Sequence, residues 1–387
     1  MQVPSRIVYG GRTGAPRALV AATVAVTLLF ASTPFLLEPI SEVYGVSEGM
    51  ASAVSVVQVG AFAVVNFLFP RFVRPSGRTL RMAATGLVLF NALSIITIAF
   101  PVLLAFRLLA GTCAGIMTWL SWTSAMTRTN SMAAVAATGP ITGLIAAPTV
   151  ATVSGVGLGA VFGLMTLIAI PAMILVDPVP GRKRAPGVIS GSRSNRLLLA
   201  SLGLTVFFGS SLFINEALVA RDIHGFTAFQ SSLGFSLNAL GGLIGARFST
   251  RHRRPGWFAA SIGPAALLTV VGPMPFFYLG MAYWGFAFWM AVPGIMRMLV
   301  DRSLQPSERA GDGQGVMALG RTGGPLMGGM FVDAGSLTTL AVTASIGITL
   351  SGAIVIGIQE GRDRLPPTDP RTLDQTSDTR HQTPDES

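Results

Sequence analysis

The sequence predicts an all-α membrane protein in which twelve transmembrane helices form two pseudo-symmetric halves of six. Three observations support this fold: the hydropathy, the distribution of charge and an internal repeat. Of 387 residues, 51% are hydrophobic and 11% are charged, and the mean hydropathy is +0.62. A soluble domain carries about 25% charged residues, so a chain this poor in charge is typical of a protein embedded in lipid.

Apolar runs of about twenty residues recur along the chain, and this is the length a helix needs to cross a bilayer core of about 30 Å. The first run follows a basic N-terminus, but eleven further runs and the lack of a small-residue cleavage site favour a retained helix over a signal peptide. The predicted spans are 18–40, 47–69, 80–100, 101–124, 132–154, 157–176, 197–219, 228–247, 257–273, 275–298, 313–334 and 336–358.

The basic residues lie almost entirely on one side of these spans. Arg71 and Arg78 follow the second span and Arg182 and Arg184 follow the sixth, whereas Arg221 is the one basic residue in the connections on the opposite side. Positively charged connections stay in the cytoplasm, so we expect both termini to be cytoplasmic and the protein to lie in a cell membrane. The net charge of +10 is thus a signal of topology and gives no support to nucleic-acid binding.

The internal repeat divides the chain into halves. TLLFASTPFLLE (27–38) and TVFFGSSLFINE (205–216) share five identities, which are Thr27/Thr205, Phe30/Phe208, Ser32/Ser210, Phe35/Phe213 and Glu38/Glu216. A duplicated unit of this length is typical of secondary transporters. We therefore expect halves at 1–176 and 197–358, a cytoplasmic linker at 177–196 and a disordered cytoplasmic tail at 359–387.

Three motifs resemble those of the major facilitator superfamily. The loop after the second span has Gly77 and Arg78 of the G-x-x-x-D-R-x-G-R-R loop, with Arg74 in place of the aspartate. RLLAG (107–111) is similar to R-x-x-Q-G, and GPITG (139–143) is similar to the G-P-x-x-G-G motif of antiporters. YGVSEGMAS (44–52) resembles the drug-exporter branch. The resemblance implies the fold of that family and transport by alternating access.

Two spans carry glycine stripes together with prolines. Glycines at four-residue spacing share one helix face and let two helices approach closely in a membrane, while prolines bend the helix. The resemblance implies that these spans pack across the boundary between the halves, so we predict a gating role, with plain tight packing as the alternative. The residues are Gly139, Pro140 and Gly143 in the fifth span and Gly320, Gly324, Pro325 and Gly328 in the eleventh.

Motifs for enzymatic chemistry are missing from the sequence. It has no G-x-x-x-x-G-K-[ST] phosphate loop and no H-E-x-x-H or G-x-S-x-G motif, and the lone cysteine, Cys113, can form no disulfide within the chain. His224, His252 and His381 lie in predicted loops or the tail. We expect no enzyme activity, no cofactor and no metal, which leaves an ion gradient as the energy source.

Proton coupling requires a group that can lose its charge within or near the membrane. Glu38 and Glu216 end the first and seventh spans, and Arg107 lies about two turns into the fourth. Because an isolated buried arginine is costly, we predict that Arg107 pairs with Glu38. The alternatives are that both acids face water and that Arg107 is a structural tie.

A substrate cavity is expected between the halves near the middle of the membrane. Gln58 and Asn238 are candidates for hydrogen bonds, and the candidates for aromatic walls are Trp119, Tyr283, Trp284 and Trp289. The alternative for each aromatic residue is packing or a place at the lipid interface. Arg321 has no acid at its depth in its own half, so we predict that it lines the cytoplasmic side of the path. Its alternative roles are capping carbonyls freed near Pro325 and reaching cytoplasmic water.

The function predicted from these features is proton-coupled export of small apolar organic compounds. The partners are then the substrate, protons and the lipid bilayer. The alternatives are an importer or exchanger of organic anions and a non-transporting membrane receptor of the same fold. We expect a monomer, because each chain contains both halves of the pathway.

Overall fold

The computed structural model describes residues 16–125, 129–175, 193–249, 254–301 and 306–363, and within these ranges every regular element is helical. The first half contains α1 (Arg17–Ala31), a 3₁₀ turn (Thr33–Phe35), α2 (Leu37–Tyr44), α3 (Glu48–Ala51), α4 (Ala53–Phe72), α5 (Gly77–Ile95), α6 (Phe100–Ala125), α7 (Thr129–Ser154) and α8 (Leu158–Ile174). The second half contains α9 (Arg193–Phe213), α10 (Glu216–His224), α11 (Ala228–Phe248), α12 (Pro255–Val271), α13 (Met274–Asp301), α14 (Pro306–Asp333) and α15 (Leu337–Asp363).

Each predicted span coincides with one helix or with a broken pair of helices. In the described part of the chain, five helices are long and apolar enough to cross a membrane, and a sixth span results if the pair bent by 40° at Ser32 counts as one. Helix α14 is long enough to cross a membrane, but its many glycines and charged residues make it less apolar than these helices. The chain is therefore a multi-pass membrane protein, and the count of twelve stays a prediction.

The repeat is visible in the backbone. The first helix of each half stops and restarts, after Ala31 in one half and after Phe213 in the other, and Glu38 and Glu216 then lie in the first turn of the short helix that follows. Both short helices end at a glycine in the left-handed region, Gly45 at φ 62° and Gly225 at φ 67°. Glycine occupies this region without steric cost, which makes it a common helix stop.

Two predicted boundaries are wrong by a few residues. The linker was expected to extend to residue 196, but α9 begins at Arg193; the tail was expected to begin at residue 359, but α15 continues to Asp363. Gln359 is buried, and its Oε1 accepts a hydrogen bond of 3.4 Å from the backbone N–H of Gly256. Helix packing thus extends past the apolar stretch that defines the span. Residues 176–192 and 364–387 lie outside the described part.

Helix pairs within each half build its core, and other helix pairs join the two halves. In the first half α4 packs on α6 and α5 packs on α8; in the second half α11 packs on α13, α12 on α15 and α9 on α14. Between the halves, α4 and α3 contact α14, and α7 contacts α11. The surface where a transport path would run is therefore bounded by α4, α7, α11 and α14.

Candidate functional site

The glycine stripe of α14 faces its own half. A Cβ at Gly320 would lie 2.5 Å from the carbonyl oxygen of Gly203 on α9, and Cβ atoms at Gly324 and Gly328 would collide with Ser210 and Ser211 of the same helix. The stripe therefore lets α14 and α9 approach closely. The eleventh span does pack against the other half, as the resemblance implies, but a different face of α14 makes that contact. A gating role for the stripe stays a prediction.

The boundary face of α14 contains Thr322, Pro325 and Gly329. A Cβ at Gly329 would lie 2.6 Å from the carbonyl oxygen of Gly49, and the Oγ of Ser52 donates a 3.1 Å hydrogen bond to the carbonyl oxygen of Pro325. Further along, the methyl group of Thr322 lies 3.1 Å from the Cβ position of Gly60. Helix α14 is thus held between α9 of its own half and α3–α4 of the other.

Helix α7 contacts the other half beside its prolines, Pro140 and Pro148. The Cβ position of Gly143 lies 3.6 Å from the Cβ of Ala239, and the hydroxyl of Ser236 donates a 2.8 Å hydrogen bond to the carbonyl oxygen of Leu144. Pro148 has no N–H to offer this carbonyl four residues earlier, so the acceptor is free for the other half. Gly139 instead faces Thr27 of α1, at 3.8 Å.

An ion-pair cluster joins the halves at one end of the bundle. Arg221 on α10 lies 3.0 Å from an oxygen of Glu38, 2.7 Å from Glu48 and 2.6 Å from its neighbour Asp222. Hydrogen bonds to Asp222 and Glu48 raise the pKa of Arg221 above its ordinary value. We call these four residues the clamp. Near it, the backbone N–H of Gly49 donates a 3.0 Å hydrogen bond to Oδ1 of Asp333.

No sequence motif marks the clamp. The available signal was that Arg221 is the one basic residue in the connections on its side of the predicted spans. That observation served only to assign topology. Two of its three acidic partners, Glu38 and Glu48, belong to the other half and lie more than 170 residues earlier in the chain.

The predicted pair of Arg107 and Glu38 does not form. Arg107 is 0% exposed, and its Nη2 donates hydrogen bonds to the carbonyl oxygen of Phe90 at 2.9 Å and to Oγ of Ser94 at 2.7 Å. Its guanidinium lies over the ring of Phe162 at 4.8 Å. The prediction placed Glu38 at the end of one continuous span, whereas the chain breaks after Ala31 and Glu38 contacts Arg221 instead. Arg107 ties α5, α6 and α8 together, as the structural alternative held.

Glu216 is the buried acid of the second half. It is 0% exposed, its Oε1 accepts a 2.8 Å hydrogen bond from Oγ1 of Thr269, and its Oε2 has no partner among the described residues. The carbonyl oxygen of Thr269 lies 2.7 Å from Nε2 of His224, which is partly exposed. The alternative that Glu216 faces water is therefore wrong, and a short polar chain leads from Glu216 towards the clamp end.

The residues predicted for the substrate cavity are not gathered in one place. Gln58 is buried where Gly111 of α6 contacts its backbone, and Nδ2 of Asn238 donates a 3.0 Å hydrogen bond to the carbonyl oxygen of Met281. These polar side chains lie at the α4–α6 and α11–α13 contacts. Their role in binding stays a prediction.

The predicted aromatic residues mainly pack helices together. Trp284 is buried edge-on against Phe213 at 5.6 Å, so it belongs to the core of the second half. The hydroxyl of Tyr283 donates a 3.0 Å hydrogen bond to Ser261 on α12, whereas Trp119 and Trp289 are partly buried. Trp119 lies 6.0 Å from Phe69, and Trp289 lies 2.6 Å from the Cβ position of Gly242. Packing, the alternative interpretation, describes Trp284 and Tyr283.

Gly77 and Arg78 begin α5. Ser76 precedes them as the N-cap, and its Oγ accepts a 3.1 Å hydrogen bond from the backbone N–H of Thr79. A serine at this position satisfies one of the free N–H groups of the first turn. The structure thus gives this part of the loop a local role in starting a helix; a role in gating stays a prediction.

Comparisons with known proteins agree with a two-half helical transport protein. The sequence profile described as Major Facilitator Superfamily matches residues 18–329. A search of curated proteins finds no significant sequence match. Among solved structures, a bacterial homolog of the human lysosomal transporter Spinster, in an inward-facing and occupied conformation, is similar with a TM-score of 0.69 at 14% identity, covering 90% of this chain and 98% of that one.

Two further structures are similar over nearly the whole chain. The human organic anion transporter MFSD10 (TETRAN) has a TM-score of 0.60 at 20% identity and covers 92% of this chain and 100% of its own. The POT family transporter PepTSo has a TM-score of 0.70 at 11% identity, with coverage of 95% of this chain and 100% of its own. At these identities the likeness concerns the fold.

The helix pairs, the repeat and the inter-half contacts define a class, that of multi-pass membrane transport proteins built from two related halves. The profile match covers well over half of the sequence. The chain belongs to the Major Facilitator Superfamily.

Proposed function

We propose that this protein is a secondary active transporter that exports small, largely apolar organic compounds in exchange for protons. In this proposal twelve spans cross the cell membrane, both termini are cytoplasmic and one chain is the working unit. Substrate reaches a site between the halves from one side at a time, as the halves rock about α4–α14 and α7–α11.

The clamp is the observation that carries this proposal. It closes one end of the interface with the partly exposed Arg221, Glu38 and Glu48. An exposed ion pair stabilises by about 0.2–1 kcal/mol, and two states of a working protein differ by only a few kcal/mol. Contacts of this strength hold one end shut and can still be broken in each transport cycle.

Glu216 replaces Glu38 as the proposed coupling acid. Glu38 is half-exposed and engaged with Arg221, whereas Glu216 is fully buried with one unpartnered oxygen. Burying a charged carboxylate without full compensation is costly, so a proton on Glu216 relieves that cost. The hydroxyl of Thr269 donates to this carboxyl group, and the partly exposed His224 contacts the carbonyl oxygen of Thr269, so polar groups lead from Glu216 towards the protein surface.

The similar structures support an organic solute as cargo. One of them is named as an organic anion transporter. An importer or exchanger of organic anions remains the second candidate, because the exposed Arg321 suits an anionic cargo whichever way it is carried.

The test uses the purified full chain in liposomes with an imposed pH gradient. We expect some compounds from a panel of small organic molecules to cause proton flux, measured with a pH-sensitive dye. Empty liposomes, and liposomes with the gradient collapsed by an ionophore, are the controls. Absence of compound-induced flux across the panel would contradict the proposal and favour the non-transporting receptor.

A further inference from the structure

Arg321 lies on a distinct face of α14. Each residue turns a helix by about 100°, so residues seven apart share a face. Gly320 faces α9, and Thr322 faces α4 of the other half. Arg321 lies between these two faces and is exposed, as is Gln314 seven residues before it. Both side chains therefore extend from the part of α14 that lies between α9 and α4.

The opposite face of α14 is apolar. Leu319, Leu326 and Met330 are 60%, 53% and 74% exposed, and they lie about 160° around the helix from Arg321. Exposed apolar side chains on a membrane helix suit the lipid, whereas an exposed arginine at membrane depth needs water or an anion. The lipid thus lies on the Leu319 side, and Arg321 faces the interior space where the two halves meet.

No hydrogen bond or ion pair to Arg321 is found in the described part of the chain, whereas Arg107 and Arg221 each have several partners. Arg107 donates hydrogen bonds to Phe90 and Ser94, and Arg221 pairs with the acidic residues of the clamp. A guanidinium presents five N–H donors in a planar fork that matches a carboxylate or phosphate. Gln314 adds donors and an acceptor on the same face.

We propose that Arg321 recognises a single anionic group on the transported compound. This inference rests on the proposed function and names its substrate class: small organic anions, in which an apolar body carries one carboxylate or an equivalent oxyanion. Arg321 pairs with the anionic group, Gln314 lies on the same face of α14 beside the space that the compound enters, and the apolar body occupies the space between the halves.

The first experiment measures the charge preference of this space without a known substrate. The single native cysteine is removed by Cys113→Ser, and Gln314→Cys supplies a reporter thiol about 10 Å along the helix from Arg321. Modification rates are measured with an anionic and a cationic methanethiosulfonate reagent on the full chain in neutral detergent. We expect Arg321→Gln to lower the ratio of anionic to cationic rate at least about fourfold, which is the effect of one charge at this distance in water.

Matched variants make the result specific. Arg81→Gln, which removes an exposed arginine from the first half, should leave the ratio unchanged, and Arg321→Lys should keep most of it. An unchanged ratio in Arg321→Gln would overturn the proposal. So would a thiol at position 314 that neither reagent modifies, because that position would then not face water.

The second experiment tests the ligand class with 2-naphthoate and its uncharged amide, 2-naphthamide. Naphthoate should slow modification of the reporter thiol at least threefold in the presence of Arg321 and have no effect in Arg321→Gln; naphthamide should not protect. Equal protection by the two compounds, or by neither, overturns the substrate class. Protection by phosphatidylglycerol but not by naphthoate would assign the site to lipid headgroups instead. Proton flux in liposomes tests the transport function separately, so the two proposals can fail independently.

Discussion

The two halves differ in which charged side chains they bury. Among the described side chains, the first half buries a cation, Arg107, and leaves its repeat acid Glu38 half-exposed, whereas the second half buries the equivalent acid, Glu216. Glu38 and Glu216 occupy the same place in the same backbone element, the first turn of a short helix that ends at a left-handed glycine. The backbone geometry is the same in the two halves, but the side chains around each carboxyl group differ, and so do the interactions it makes.

The difference comes from what each carboxyl group meets. Glu38 lies where α2 approaches α10 of the other half, so it contacts Arg221. Glu216 turns towards α12 of its own half, where Thr269 supplies a hydroxyl and no cation lies within ion-pair distance among the described residues. One acid therefore holds the halves together, and the other is suited to carry a proton. Four substitutions test this contrast.

The largest effect is expected for Arg107→Ala. It empties a buried space and leaves the carbonyl group of Phe90 and the hydroxyl of Ser94 without their donor, so the free energy of unfolding should fall by about 3 kcal/mol. Thermal and denaturant unfolding in detergent measure this. Adding Glu38→Gln should change the loss only by the separate effect of that substitution, because sites without contact are additive. If the losses of the two single variants do not add up in the double variant, Arg107 and Glu38 do interact.

Glu216→Gln is expected to have the next largest effect. The amide cannot titrate, so proton-driven accumulation of a substrate in liposomes should fall at least about tenfold, equal to about 1.4 kcal/mol. Exchange of substrate without a pH gradient should persist. Glu38→Gln is the matched control at the equivalent position, and it should keep proton coupling. If the two variants lose coupling equally, Glu216 has no special role.

Arg221→Gln should weaken the clamp by about 1 kcal/mol, because its ion pairs are partly exposed. Spin labels at Glu42 and Ile223, one in each half at the clamp end and both exposed, report the distance between the halves. The variant should gain a population with a longer distance between the labels. Asp222→Asn removes only the contact within α10 and should change the distribution less. An unaltered distribution in Arg221→Gln would show that apolar contacts alone close this end.

The smallest effect is expected for Ser236→Ala, which removes the bond to the carbonyl oxygen of Leu144. A single neutral hydrogen bond contributes about 1 kcal/mol to stability, so the free energy of unfolding should fall by that amount or less. Ser232→Ala, on the same helix, removes a hydroxyl that bonds within its own helix to Phe229 and is the control. Equal losses in both variants would mean that the inter-half bond adds nothing.

The sequence by itself determined the helical class, the position of nearly every helix and the repeat. Hydropathy acts over a few neighbouring residues, so apolar spans can be predicted from the local sequence; the break inside the first span, 18–40, was not predicted. The family motifs added the identity of the fold. The same local character made the glycines of α14 recognisable as a close-packing face.

Only the tertiary structure decided which residues face each other. Glu38 follows the break after Ala31 and pairs with Arg221, whose partner Glu48 likewise lies more than 170 residues earlier in the chain. The glycine stripe of α14 packs on α9, whereas Thr322 and Gly329 face the other half. A bend of 40° at one turn redirects a whole side chain, and composition does not show where it points. Contacts between distant segments depend on the rotation of each helix about its axis, which packing against neighbours sets.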